Sequence, residues 1–156
     1  MSEYNFKEVL LKSQEAVYLM RDLFISKGFV VYVPELIIAP YNAGAFSIYA
    51  DEGDMFVTKD GVETKLEIKH INTDFINDFP FKDIIVNSFT GYESKNIKPD
   101  VHIIINKNKT HYLTIRNETF PKWELRRTFD KIKQKELLFY YIEKSYAKYF
   151  KINIPK

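Results

Sequence analysis

Apolar residues recur at helical spacing over residues 6–26: Val9 with Leu10, Ala16 with Val17, Met20, then Leu23 with Phe24. A helix with one buried face is expected there. Gly28 suits the left-handed position that ends a helix, and the β-branched and aromatic run from Phe29 to Val33 reads as a strand. Pro34, Pro40, Asn42 and Gly44 mark a loop, and residues 46–49 read as strand or edge. Between 54 and 71 two strand-like runs flank Lys59-Asp60-Gly61, and Asp-Gly in that setting signals a hairpin. The stretch 75–81 is irregular around Pro80, 82–89 is expected to be a short helix, and a polar loop leads to Pro99. A second hairpin follows, DVHIIIN and HYLTIR joined at Lys107-Asn108-Lys109. Residues 121–150 are expected to form one long or two shorter helices. This order predicts an α/β fold: a central mixed β-sheet flanked by helices, with an added C-terminal helical segment. One domain spans 1–156, its core over about 6–116 and its helical extension over about 119–152.

Composition narrows the chemistry. An apolar fraction of 46% with 28% charged residues is that of a soluble globular domain, and no run approaches the roughly 18 apolar residues needed to cross a bilayer. The first residues carry no secretory pattern, so a cytoplasmic location is expected, in a bacterium or a phage-infected host. With no cysteine, any metal must be held by oxygen or imidazole. The net charge of +2 conceals an asymmetry: residues 119–156 carry 10 Lys/Arg against 4 Asp/Glu, a net +6, and the remainder a net −4. A basic tail of this kind can meet phosphate, or it can simply be a solvated surface.

The first hairpin carries the chemistry. If Asp60 and Gly61 are the two central turn residues, pairing runs outward from Lys59 with Val62 to Asp54 with Glu67. Directly opposed residues share a face, with Cβ atoms roughly 4.5–5.5 Å apart, and like charges so placed repel. A divalent cation between the carboxylates turns that repulsion into coordination, and magnesium prefers such oxygen ligands. Lys69, two residues past Glu67, falls on the same face, whereas Leu66 and Ile68 point into the core. Two acids and an amine are the groups that phosphodiester hydrolysis requires: metal ligands, and an ammonium for the attacking water or the developing charge. The plainer reading is a solvated hairpin whose Glu63, Lys65, Glu67 and Lys69 alternate in sign because one face is wet.

The pieces GDMFV at Asp54, KLEIKHI with Glu67 and Lys69, and SQEAVYLMRDLFISKGF with Glu15 together resemble the PD-(D/E)XK nuclease superfamily of restriction enzymes, Holliday-junction resolvases and phage recombination nucleases. The likeness covers about residues 10–116, and Gly53 stands where the family name has proline. It implies a restriction-endonuclease-like core in the order αβββαβ and a Mg2+- or Mn2+-dependent nuclease acting on DNA. Asp54, Glu67 and the main-chain carbonyl of Ile68 would be metal ligands, Lys69 would act on the attacking water or transition state, and Glu15 would help position metal or water. It also places Lys82 and Asn87 beside the active site, Lys82 either touching phosphate or merely lying on the surface. The competing expectation is a catalytically inactive nucleic-acid-binding or assembly protein of the same fold.

Nucleic-acid contacts are expected from Arg126, Arg127 and Lys131, which with Trp123 mix basic and aromatic groups in a way that can track a backbone while a base stacks. The aromatic run LLFYYIEKSYAKYF is read first as core packing and second as a homodimer interface. His70 is expected at the core or an edge, and His102 and His111 are given no role.

Overall fold

A computed structural model describes residues 3–34, 54–131 and 134–155 of the chain. The loop expected around Pro40, Asn42 and Gly44, the short stretch 46–49, and Gly53 lie outside the described residues. Helix α1 (Glu3–Ser26) leads into strand β1 (Val30–Tyr32). Strands β2 (Asp54–Lys59) and β3 (Val62–His70) form the first hairpin, followed by β4 (Asp83–Ser88), a single turn of helix α2 (Phe89–Glu93), and the second hairpin of β5 (Val101–Ile105) and β6 (His111–Arg116). Strands β7 (Glu124–Asp130), β8 (Lys135–Glu143) and β9 (Lys148–Lys151) complete the order.

The strands make two sheets. The larger runs β1-β2-β3-β5-β6-β9, with β3 and β5 parallel and every other pair antiparallel, and the smaller runs β4-β8-β7. Helix α1 covers one face of the large sheet, where Ala16, Val17, Met20 and Leu23 pack on Met55, Leu66, Ile68 and Ile103. The small sheet covers the other face: Ile84, Val86 and Ile142 meet Ile104, Leu113 and Ile115. Strand β5 is enclosed on both sides, which is why it reads as the unbroken apolar run Ile103-Ile104-Ile105.

The expected helix-flanked α/β architecture is therefore corrected to a mostly β fold. Among the described residues α1 is the one helix of seven or more residues, and the small sheet takes the place given to helices. Residues 82–89 contain the β-branched run Ile84-Ile85-Val86, of which Ile84 and Ile85 pair with β8 and Val86 falls at a register shift; the helix starts only at Phe89, where the Ser88 hydroxyl accepts the Gly91 N–H at 3.0 Å. Among the described residues no C-terminal α-helix forms either. At the end of β8 burial alternates with period two, Tyr140 and Ile142 facing the core while Tyr141 and Glu143 face outward, so the aromatic run is strand β8, a 3-10 turn (Lys144–Tyr146) and strand β9.

Candidate functional site

The first hairpin turns as its residues require. Asp60 and Gly61 both have positive φ, 53° and 78°, the conformation of a two-residue hairpin turn whose twist matches its strands. That turn sets the register, which places Asp54 opposite Glu67. Glu67 and Lys69 then lie on the face away from α1, under the small sheet, whereas the Ile68 side chain is buried in the core beneath the helix.

Glu67 is 6% exposed and heavily coordinated by donors. Asn87, at the end of β4, donates through Nδ2 to Oε2 at 2.5 Å; His102 Nε2 lies 3.0 Å from the same oxygen; and the Lys95 ammonium is 3.3 Å from Oε1. Lys69 donates to Asn87 Oδ1 at 3.1 Å, so one amide holds both the acid and the amine. Burial by itself would raise the Glu67 pKa, but the hydrogen bond from His102 and the charges of Lys69, His102 and Lys95 outweigh it and hold the carboxyl down at about 2. Burial, aided by the nearby Lys69 and Lys95 charges, pushes His102 below its ordinary value against the pull of Glu67. With Nδ1 lacking a hydrogen-bond partner, the tautomer that satisfies Glu67 carries its proton on Nε2.

His102 was missed by the sequence reading. It reaches Glu67 because β3 and β5 pair in parallel with Glu67 opposite His102, a relation between distant segments that no local pattern reveals. The available signal was a polar side chain inside an apolar strand. Asn87 was placed beside the site but on an expected helix; it arrives there from a strand, buried to 4% exposure.

The remaining expected residues do not converge. Glu15 lies on α1, which covers the opposite face of the large sheet, and pairs at 3.6 Å with Lys109 in the β5–β6 turn. Lys82 is exposed just before β4, five residues from Asn87 along an extended chain, which is roughly 16 Å. Arg126 and Arg127 are neighbours on a strand and so project to opposite faces of the small sheet. Arg126 binds Glu124 through two nitrogens at 3.0 Å, reaches Asp83 at 3.0 Å, and lies over the Tyr141 ring. Arg127 is solvent-exposed with Glu136 at 4.0 Å, and Lys131 is exposed beyond the end of β7. The three expected nucleic-acid contacts thus lie on a strand and beyond its end, with 126 and 127 on opposite faces.

The chain matches no family model, no curated protein and no solved structure. No helix among the described residues is long and apolar enough to cross a membrane.

Proposed function

We propose that this chain is a metal-dependent nuclease that hydrolyses phosphodiester bonds in DNA at a centre formed by Asp54, Glu67 and Lys69. The observation that carries the reading is the β2–β3 register, which sets Asp54 opposite Glu67 with Lys69 two residues farther along the same face. The reading does not need the fold corrected above. It needs two acids and an amine on one rigid hairpin. We also place its action in the cytoplasm of a bacterium or a phage-infected cell.

On this reading the metal is a hard divalent cation, Mg2+ or Mn2+. Glu67 stays ionised although almost enclosed, and an ammonium, Lys95, already stands at its Oε1 as a cation would. Among the described residues no three His, Asp or Glu side chains form a metal cage, so the further oxygen donors would be Asp54 and the Ile68 carbonyl. When bound, the ion supplies Lewis-acid polarisation of a phosphoryl oxygen. The chain's own residues do the rest. Lys69 presents its ammonium next to the carboxylate, where it stabilises negative charge developing on phosphorus-bound oxygen. Asn87 holds Lys69 and Glu67 at a fixed separation, His102 fixes the rotation of the carboxylate, and Ile68 anchors the strand in the core.

A second reading, a nucleic-acid-binding protein without catalysis, is favoured by one observation: both oxygens of Glu67 are already engaged by Lys95, Asn87 and His102. Turnover separates the two. Labelled duplex, single-stranded, flap and junction DNA incubated with Mg2+ or Mn2+ should be cleaved by the parent and spared by Lys69→Ala. Binding without cleavage of any of them by the parent would leave only the second reading.

A further inference from the structure

Two rings of a four-ring aromatic cluster, Tyr92 and Trp123, pack against His102. Tyr92 stacks on the imidazole at 6.2 Å between centroids, and Trp123 meets it edge-on at 5.7 Å. Phe120 lies nearly parallel to Tyr92, at 13° and 5.3 Å, with Trp123 at 5.1 Å and Tyr140 at 5.5 Å around it. The platform is rigid. The Tyr92 hydroxyl donates to Asn117 at 2.6 Å, the Trp123 indole N–H to Thr119 at 2.9 Å, and the Tyr140 hydroxyl to Glu93 at 2.6 Å.

Core packing accounts for Tyr92 and Tyr140, which are 3% and 8% exposed. It accounts only in part for Phe120, which packs on Tyr92, Trp123 and Tyr140 yet stays 37% exposed in a 3-10 turn (Asn117–Lys122) whose Lys122 and preceding Arg116 are also in solvent. One face of its ring is stacked on Tyr92, Trp123 and Tyr140 meet it edge-on, and its remaining exposed part lies on a turn that also carries Lys122 and follows Arg116, whose guanidinium is paired with Glu118 at 2.8 Å. The platform is also continuous with the candidate centre, since His102 touches Tyr92 and Trp123 on one side and Glu67 on the other.

From this we infer that Phe120 is a stacking platform for an unpaired nucleobase, and that the nucleic acid engaged is single-stranded. The inference rests on the nuclease reading for its choice of ligand. A base exposes its π-face only when unpaired or at an end, and base–aromatic stacking tolerates any sequence because every base has such a face. Lys122 serves an adjoining phosphate, and Arg116 does so only by exchanging its pair with Glu118.

The test uses the full chain in chelator, so that binding is read without cleavage. Trp123 is the protein's single tryptophan and lies in contact with Phe120, so its emission reports occupancy directly. An oligothymidylate of about a dozen nucleotides should quench it and bind at least tenfold more tightly than a duplex of equal length or an abasic strand of equal charge. Phe120→Leu keeps an apolar group on Tyr92 but removes the stack, and should weaken oligothymidylate binding about tenfold; Phe120→Tyr should restore it. Equal affinity for the abasic strand, equal affinity for duplex, or parental binding by Phe120→Leu would each overturn the inference. A protein that binds in this way yet never cleaves with Mg2+ or Mn2+ loses the nuclease reading and keeps the platform; one that cleaves but binds the abasic strand equally well loses the platform alone.

Discussion

Glu67 and His102 stand opposite each other across the β3–β5 pair, with His102 Nε2 3.0 Å from Glu67 Oε2. The contact joins a carboxyl held well below its ordinary range to an imidazole whose protonation burial disfavours, both enclosed under the small sheet. Its first consequence concerns acid stability. The Glu67 pKa is lowered from 4.5 unfolded to about 2 folded, so its contribution is present above pH 4.5 and is lost as pH falls through 2. A shift of that size corresponds to about 3 kcal/mol. Urea unfolding of the parent and Glu67→Gln across this interval should show a steep loss in the parent and a shallower one in the variant; parallel curves would remove the ionised carboxylate from the account.

Removing the two acids should have opposite effects on the metal-free protein. The hairpin alone predicts that either substitution relieves repulsion between opposed carboxylates. Glu67, however, holds three donors in a buried setting, and its loss leaves them poorly matched. Glu67→Gln should therefore destabilise, by roughly 1–3 kcal/mol, while Asp54→Asn should leave stability equal or slightly higher. Both, with Lys69→Ala, should lower cleavage on the order of 10²-fold or more. Thermal melts in chelator beside single-turnover rates check the pair of effects, and full activity in any two variants would dismiss the site.

On the nuclease reading, Lys95 and a divalent cation would compete for Glu67. Replacing the ammonium with glutamine should tighten Mn2+ binding severalfold in calorimetry, because a charge 3.3 Å from Oε1 no longer has to be displaced. Weaker Mn2+ binding in Lys95→Gln would mean that the ammonium helps to form the cation site.

The split of the basic residues across two faces makes them separable. Arg126 is committed to Glu124 and Asp83, so Arg126→Ser should change DNA affinity little and instead loosen the end of the small sheet. Arg127→Ser with Lys131→Ser should weaken binding evenly across sequences and lower the salt slope by about 0.7 per lost contact on single strands, or 0.9 on duplex. Titrations at several salt concentrations distinguish these outcomes; an unchanged slope in the double variant would leave both side chains merely solvated.

What the sequence makes legible follows from how local each feature is. The α1 periodicity, the Asp60-Gly61 turn and the β2–β3 register are decided within a few residues, and the structure carries all three. The second hairpin was equally plain, with Lys109 taking a positive φ in its turn. The segments 82–89 and 121–150 were misassigned because their apolar residues come in blocks, Ile84 to Val86 and Leu137 to Ile142, that satisfy helical and strand spacing together. Pairing β4 with β8 decides between them, and that pairing spans more than fifty residues of chain. His102 escaped for the same reason, since its meaning comes from a parallel neighbour.

The crossover from β3 to β5 passes through the small sheet, so the candidate centre is closed by a lid that is itself folded structure. Asn87 and Lys95 come from that crossover, and β8 and β7 are what hold β4 in place. Any excursion that lifts the small sheet would wet Glu67, free its oxygens and return its acidity toward that of an ordinary glutamate. Local opening and a change in the centre's charge would then be the same event. Such sub-global openings are a general property of packed domains. Here the hydrophobic contacts of Ile84, Val86 and Ile142 against Ile104 and Leu113 would govern how often the carboxylate meets solvent.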